Sequence, residues 1–180
     1  IDVLSPKRLQ SRVFELAGLP ERTIFDERGK CMVLSALIEE DKEQLTVYRG
    51  AAENAANGFT ERVSNIIASL KRSELTAEEV LLAAEKMGEG NTAAEKLKDI
   101  GRIYAAYEQR MAGELADAED ISREMCMRFE RSGVLKGQHI FVYGFDMITP
   151  TFAAQMLSMA PLCESLTLAV ETDVNAEPDG

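Results

Sequence analysis

Ser5 is followed one turn apart by Arg8 and Arg12, and Lys71-Arg72 closes an amphipathic stretch. Either basic pair has the charge to touch phosphate, although isolated pairs on an acidic chain also read as salt-bridge partners. Asp117, Glu119 and Asp120 gather the oxygen donors a divalent cation takes. Acids also collect at helix N-termini because the dipole favours them there, and a solvated N-terminus is the simpler reading. His139, the single histidine, starts an apolar run with no nearby Cys or second His, which makes it a packing or edge residue. Cys31, Cys126 and Cys163 show no C-x-x-C spacing and read as structural, reduced thiols; their odd number also argues against a secreted disulfide framework. Gly88-Glu89-Gly90 lacks the Lys of a phosphate loop and reads as a turn, and no Gly-x-Ser-x-Gly or His-Glu-x-x-His occurs. By itself the sequence has no means of cradling a triphosphate, and one histidine leaves little room for ordinary acid–base catalysis.

Composition narrows the function further. A formal charge of −11 disfavours a free-standing, tight DNA binder, because such affinity rests on cations displacing counterions. The 46% hydrophobic content suffices for a core, and with 6% aromatics and no Trp it favours helices over a β-sandwich. No apolar run reaches the roughly 18 residues of a membrane span. Beginning Ile1-Asp2-Val3-Leu4, without initiator Met or leader pattern, the chain reads as a piece of a longer cytoplasmic protein.

The elements that must position these residues follow from caps and periodicity. Ile1–Leu4 reads as a short strand, then Ser5-Pro6 as an N-cap with Pro at the first helical position, in a helix reaching Gly18. Val33, Leu34, Leu37 and Ile38 form one stripe of a helix over about 26–40. Phe59, Val63, Ile66, Ile67 and Leu70 form another, ending on Lys71-Arg72; the stretch between, from Leu45 to Gly58, stays open. Capping boxes at Thr76–Glu79 and Thr92–Glu95 open two more helices. The second carries a seam of Leu97, Ile100, Tyr104, Tyr107 and Met111, and a last helix of the series covers about 118–131.

His139–Tyr143 then reads as a strand buried on both faces, Thr149-Pro150 repeats the cap-then-Pro signal, and Leu166–Val170 reads as a second buried strand. Two strand–helix junctions at opposite ends imply a small parallel sheet, interrupted by well over a hundred mostly helical residues where about a dozen would suffice. The expected architecture is therefore predominantly helical α/β. Residues 1–18 and 134–180 form the α/β part, and 19–133 an inserted helical subdomain. Ligands of such sheets collect beyond the carboxyl ends of the strands, near Ser5 and Gly144–Thr149.

Several landmarks occur in one order: Ile1–Leu9 (IDVLSPKRL), Asp26–Lys30 (DERGK), Ala68–Arg72 (ASLKR), Lys96–Glu108 (KLKDIGRIYAAYE) and Tyr143–Pro150 (YGFDMITP). In that order they resemble AddB, also called RexB, the B subunit of bacterial ATP-dependent helicase/deoxyribonucleases. The resemblance spans essentially the whole chain and implies the N-terminal, P-loop helicase-like half, similar to UvrD-type motors with an inserted helical subdomain. It places Ser5 and its helix, with Lys7, Arg8 and Arg12, near single-stranded DNA, and Lys71 and Arg72 as further weak DNA contacts. It places Phe141–Asp146 where motors carry the Asp-Glu pair that binds Mg²⁺ and activates water.

Here the sequence departs: Tyr143 stands where AddB relatives commonly have Asp, and Gly144 where a motor has Glu, with Asp146 beyond. Neither Tyr nor Gly supplies a metal-binding carboxylate, so a working ATPase from this segment is not expected. The resemblance further implies an AddA-like helicase–nuclease partner, DNA in the full complex, and a role in double-strand-break repair and recombination. ATP, Mg²⁺ and an iron–sulfur cluster belong to the parent family; its phosphate-loop-like segment would precede Ile1, its nuclease and cluster cysteines would lie far downstream, and no cofactor is expected in this segment. The competing reading is an acidic helical protein-interaction module unrelated to DNA, with Tyr104 and Tyr107 as docking face rather than core.

Overall fold

A computed structural model describes residues 1–50, 57–88, 90–145 and 147–170. The chain packs as two compact units, Ile1–Leu19 with Met125–Gly180, and Pro20–Glu124. Helix predominates throughout, accompanied by two small parallel sheets. Helix α6 spans Ala118–Ser132.

The helical unit is assembled from amphipathic stripes. Helices α2 (Glu27–Asp41), α3 (Asn57–Arg72) and α5 (Thr92–Met111) bury Leu34, Leu37 and Ile38, Phe59, Val63 and Ile67, and Ile100, Ile103, Tyr104, Tyr107 and Met111 in one core. Burying a side chain of this size contributes about 1.5–3 kcal/mol, which is why the stripes dictate the packing. Helix α2 starts at Asp26, whose carboxylate accepts from the Gly29 amide at 2.8 Å. Both halves of the capping box at Thr76 and Glu79 are formed at the start of α4 (Ala77–Lys86). The box expected at Thr92 is not: Asn91 caps α5, its Oδ1 accepting from Ala93 and Ala94, and Thr92 is already helical. Asn in extended backbone one residue earlier reaches the same orphan amides.

Two residues on each side, β1 (Thr23–Ile24) and β2 (Leu115–Ala116), pair in parallel within this unit. A pair that short carries no periodicity, and none was expected from sequence. Where α4 meets α5, an added Cβ on Gly101 would lie 2.7 Å from Leu81 Cδ2 and 2.9 Å from its Cγ. Overpacking of this kind costs about 1–3 kcal/mol, against about 1 kcal/mol gained from the better helix former. Gly101→Ala is therefore expected to lower the urea midpoint, and adding Leu81→Ala, which vacates the space, to remove the clash; a Gly101→Ala midpoint at or above wild type would contradict the close approach.

The other unit contains α1 (Pro6–Ala17), the later part of α6, β3 (His139–Val142), α7 (Pro150–Met159) and β4 (Ser165–Leu168). Ser5 and Thr149 cap α1 and α7 as expected, accepting from the Arg8 and Phe152 amides at 3.3 and 3.2 Å. Its buried apolar residues include Val13, Phe14, Ala17, Met125, Phe129, Leu135 and Met159. Strands β3 and β4 are parallel, with Ile140 opposite Leu166 and Val142 opposite Leu168.

Two sequence expectations fail in this unit. Ile1–Leu4 joins no strand among the described residues; Ile1 and Val3 are exposed, and Asp2 is instead tied to Arg12. Nor are the strands buried on both faces: Phe141 is 76% exposed and Tyr143 74%, while Ile140 and Val142 are half-buried. An unbroken apolar run specifies that both faces suit burial, not that both are covered within these residues.

Candidate functional site

The sequence-derived candidates fall in three places. At the first, Lys7 and Arg8 stand exposed in the first turn of α1, a turn with no acidic residue. Cations there face the positive end of the helix dipole, an arrangement that an anion would relieve. Arg12, one turn on, donates to Asp2 Oδ2 at 2.7 Å, and this hydrogen bond and the guanidinium charge hold the Asp2 carboxyl below its ordinary pKa. Ser5 spends its oxygen on the helix cap.

At the second, the carboxyl end of β3, the chain leaves the sheet through exposed Tyr143 and then Gly144, whose φ of +80° is a left-handed conformation suited to glycine. Asp146 lies outside the described residues. Tyr143 and Gly144 carry no carboxylate oxygen of the kind Mg²⁺ takes as a ligand. Among the described residues no three His, Cys, Asp or Glu side chains come together as a metal site, and Cys31, Cys126 and Cys163 form no disulfide.

The third differs most from the sequence reading. Lys71, expected as a weak DNA contact, is 1% exposed. Its Nζ lies 2.8 Å from Asp117 Oδ2, 2.7 Å from Asp120 Oδ1 and 3.5 Å from Glu108. Lys30, equally buried, lies 3.4 Å from Glu119 and 3.8 Å from Asp117. The Tyr107 hydroxyl donates to Asp117 Oδ2 at 3.0 Å, and the two ammonium groups sit 5.9 and 5.7 Å from its ring centroid. Arg72 donates to Glu119 at 3.0 Å, so its guanidinium is engaged at the rim. Asp117 and Asp120 also cap α6 reciprocally, each accepting from the other's amide.

Asp117 is thus no solvated helix end but the centre of a satisfied buried network. Desolvation is the largest influence on both Asp117 and Lys71 and disfavours their charges. The attractions and hydrogen bonds between them outweigh it, leaving Asp117 below and Lys71 above their ordinary pKa values. Burial first, and the Asp117 charge next, push the Tyr107 hydroxyl pKa up, keeping it a neutral donor. Tyr104 and Tyr107 are core, 2% and 0% exposed, and form no docking face.

A second buried carboxylate was missed. Asp99, fully buried, accepts from the amides of Thr46, Val47 and Tyr48 at 2.8–3.1 Å, fixing the loop that leaves the single-turn helix Lys42–Gln44. The signal was present in spacing: Asp99, Ile103 and Tyr107 share one face of α5, as Val63, Ile67 and Lys71 share one of α3 and Lys30 and Leu34 one of α2. A charge on a buried stripe has to be paired inside.

Fold and site together define a predominantly helical protein with small parallel sheets, whose internal charges serve packing and whose α1 carries exposed Lys7, Arg8 and Arg12. The model of the family described as ADDB, N-terminal, matches residues 1–179, and the chain belongs to that family. It is 27% identical over 176 residues to the B subunit of the ATP-dependent helicase/deoxyribonuclease of Alkaliphilus metalliredigens, covering 98% of this chain and 15% of that protein. It is 31% identical over 180 residues to the protein of the same name from Bacillus velezensis, covering 95% and 15%, and 34% identical over 148 residues to that of Caldanaerobacter subterraneus, covering 82% and 12%. The matched region thus spans 12–15% of the length of these relatives. Among the described residues no helix is long and apolar enough to cross a membrane.

Proposed function

We propose that this chain is the scaffold and DNA-guiding N-terminal portion of an AddB-like protein, a P-loop helicase-like domain without a motor of its own. It works in the cytoplasm beside an AddA-like helicase–nuclease in double-strand-break repair and recombination. The observation that carries the reading is family membership over residues 1–179. The end of β3 supports the loss of motor function, since Tyr143 and Gly144 cannot hold Mg²⁺ or orient water for attack on a γ-phosphate. The local charge of α1 supports the guiding role: residues 1–19 set Lys7, Arg8 and Arg12 against only Asp2 and Glu15, whereas residues 20–124 and 125–180 each carry an acidic excess.

The 180-residue chain is expected to bind single-stranded oligonucleotides weakly, with affinity falling steeply between about 50 and 200 mM salt. In Lys7→Ala/Arg8→Ala the slope of log K against log salt should become shallower by about 1 for each phosphate no longer neutralised. Fluorescence anisotropy across a salt series measures it. An unchanged slope would remove α1 from the DNA path, and DNA-stimulated ATP hydrolysis by the complete AddB-like protein alone would overturn the motor-dead assignment.

A further inference from the structure

We propose that Asp2 occupies, as the chain's own anion, the place of a nucleic-acid phosphate on the cationic face of α1, so that a DNA strand must displace it to reach Arg12. The proposal rests on the DNA-guiding reading and adds to it a contact that works against binding.

Three observations carry it. First, Arg8 and Arg12 stand one turn apart on α1, and like charges at that spacing repel unless an anion lies beside them. Asp2 supplies that anion: its Oδ2 accepts from Arg12 Nη1 at 2.7 Å, and the Arg8 charge attracts the same carboxyl. Second, the contact does not come from neighbouring helical turns. Asp2 precedes Arg12 by ten residues and lies ahead of the Ser5 cap, in a segment that joins no strand among the described residues. Third, the pair is open to water, with side chains 71% and 47% exposed, and joins one guanidinium nitrogen to one carboxylate oxygen. An exposed pair of this kind holds weakly, whereas a phosphate engages the guanidinium fork with two oxygens. Exchange of one anion for the other therefore disturbs no packing. Lys71 offers the contrast, since it meets Asp117 in a desolvated site from which no phosphate displaces the carboxylate.

Fluorescence anisotropy of the 180-residue chain with labelled oligothymidylate at about 50 mM salt tests the proposal. Asp2→Asn keeps the shape and removes the charge, and is expected to bind about 1.5- to 5-fold tighter than wild type, the range an exposed ion pair spans. Glu15→Gln removes an equal charge from the same helix without releasing Arg12 and should change affinity less. In an Arg12→Gln background the gain from Asp2→Asn should largely vanish. An equal gain from Glu15→Gln, or a gain that persists without Arg12, would overturn the proposal, because either reports net charge rather than displacement. Wild-type binding that depends on Lys7 and Arg8 but gains nothing from Asp2→Asn would also overturn it, and would leave the guiding role intact. Binding indifferent to Lys7 and Arg8, or absent from wild type and Asp2→Asn alike, would overturn both.

Discussion

Asp117→Ala is expected to destabilise the helical unit by about 3 kcal/mol, because it removes the fully buried carboxylate shared by Lys71 and Lys30 and leaves both ammonium groups with fewer counter-charges in a desolvated site. The variant strands Lys71 with Asp120 and Glu108 alone, deprives the Tyr107 hydroxyl of its acceptor and removes half of the α6 cap. With Asp117 below its ordinary pKa when folded, its contribution is complete above the unfolded value of about 3.9 and is lost as pH falls through the folded one. With Lys71 raised, its contribution is complete below about 10.4 and is lost as pH rises through the folded value. Urea midpoints by circular dichroism should therefore hold through neutrality and fall on both flanks, and Asp117→Ala should flatten the acid flank. In a double-mutant cycle, Lys71→Met with Asp117→Leu should cost clearly less than the sum of the two single changes. Additive losses would show that the two residues do not act as a pair.

Asp99→Ala is expected to cost a comparable amount, about 3 kcal/mol, by a different route. Three loop amides lose their acceptor at once, and each buried, unpaired donor costs about 1–3 kcal/mol, reduced here because Thr46 reaches solvent. Asp99→Asn keeps the shape and one acceptor oxygen and should retain part of the stability. Hydrogen exchange separates this from a general loss of packing: the amides of Thr46, Val47 and Tyr48 should exchange faster in Asp99→Ala even in conditions where α5 stays protected. Unchanged protection at those three would mean that water or backbone already serves them.

Local chemistry was legible in the sequence. The caps at Ser5, Thr76 and Thr149 formed because a short oxygen-bearing side chain reaches its own helix start within a few residues. The stripes of α2, α3 and α5 chose the core by periodicity, and placed Tyr104 and Tyr107 inside it. The strands at His139 and Leu166 were legible as strands, though not their exposure, because an apolar run does not say what lies over each face.

The fate of the charges was not legible. Lys71-Arg72 looks the same in sequence whether its ammonium faces a phosphate or a buried carboxylate 46 residues away. The sequence by itself determined where helices begin, which faces are apolar and that Lys30, Lys71 and Asp99 lie on those faces. Only the tertiary structure decided which carboxylate meets which ammonium, because a charge is satisfied by whatever lies within a few ångströms of it, and folding, not sequence order, sets that distance.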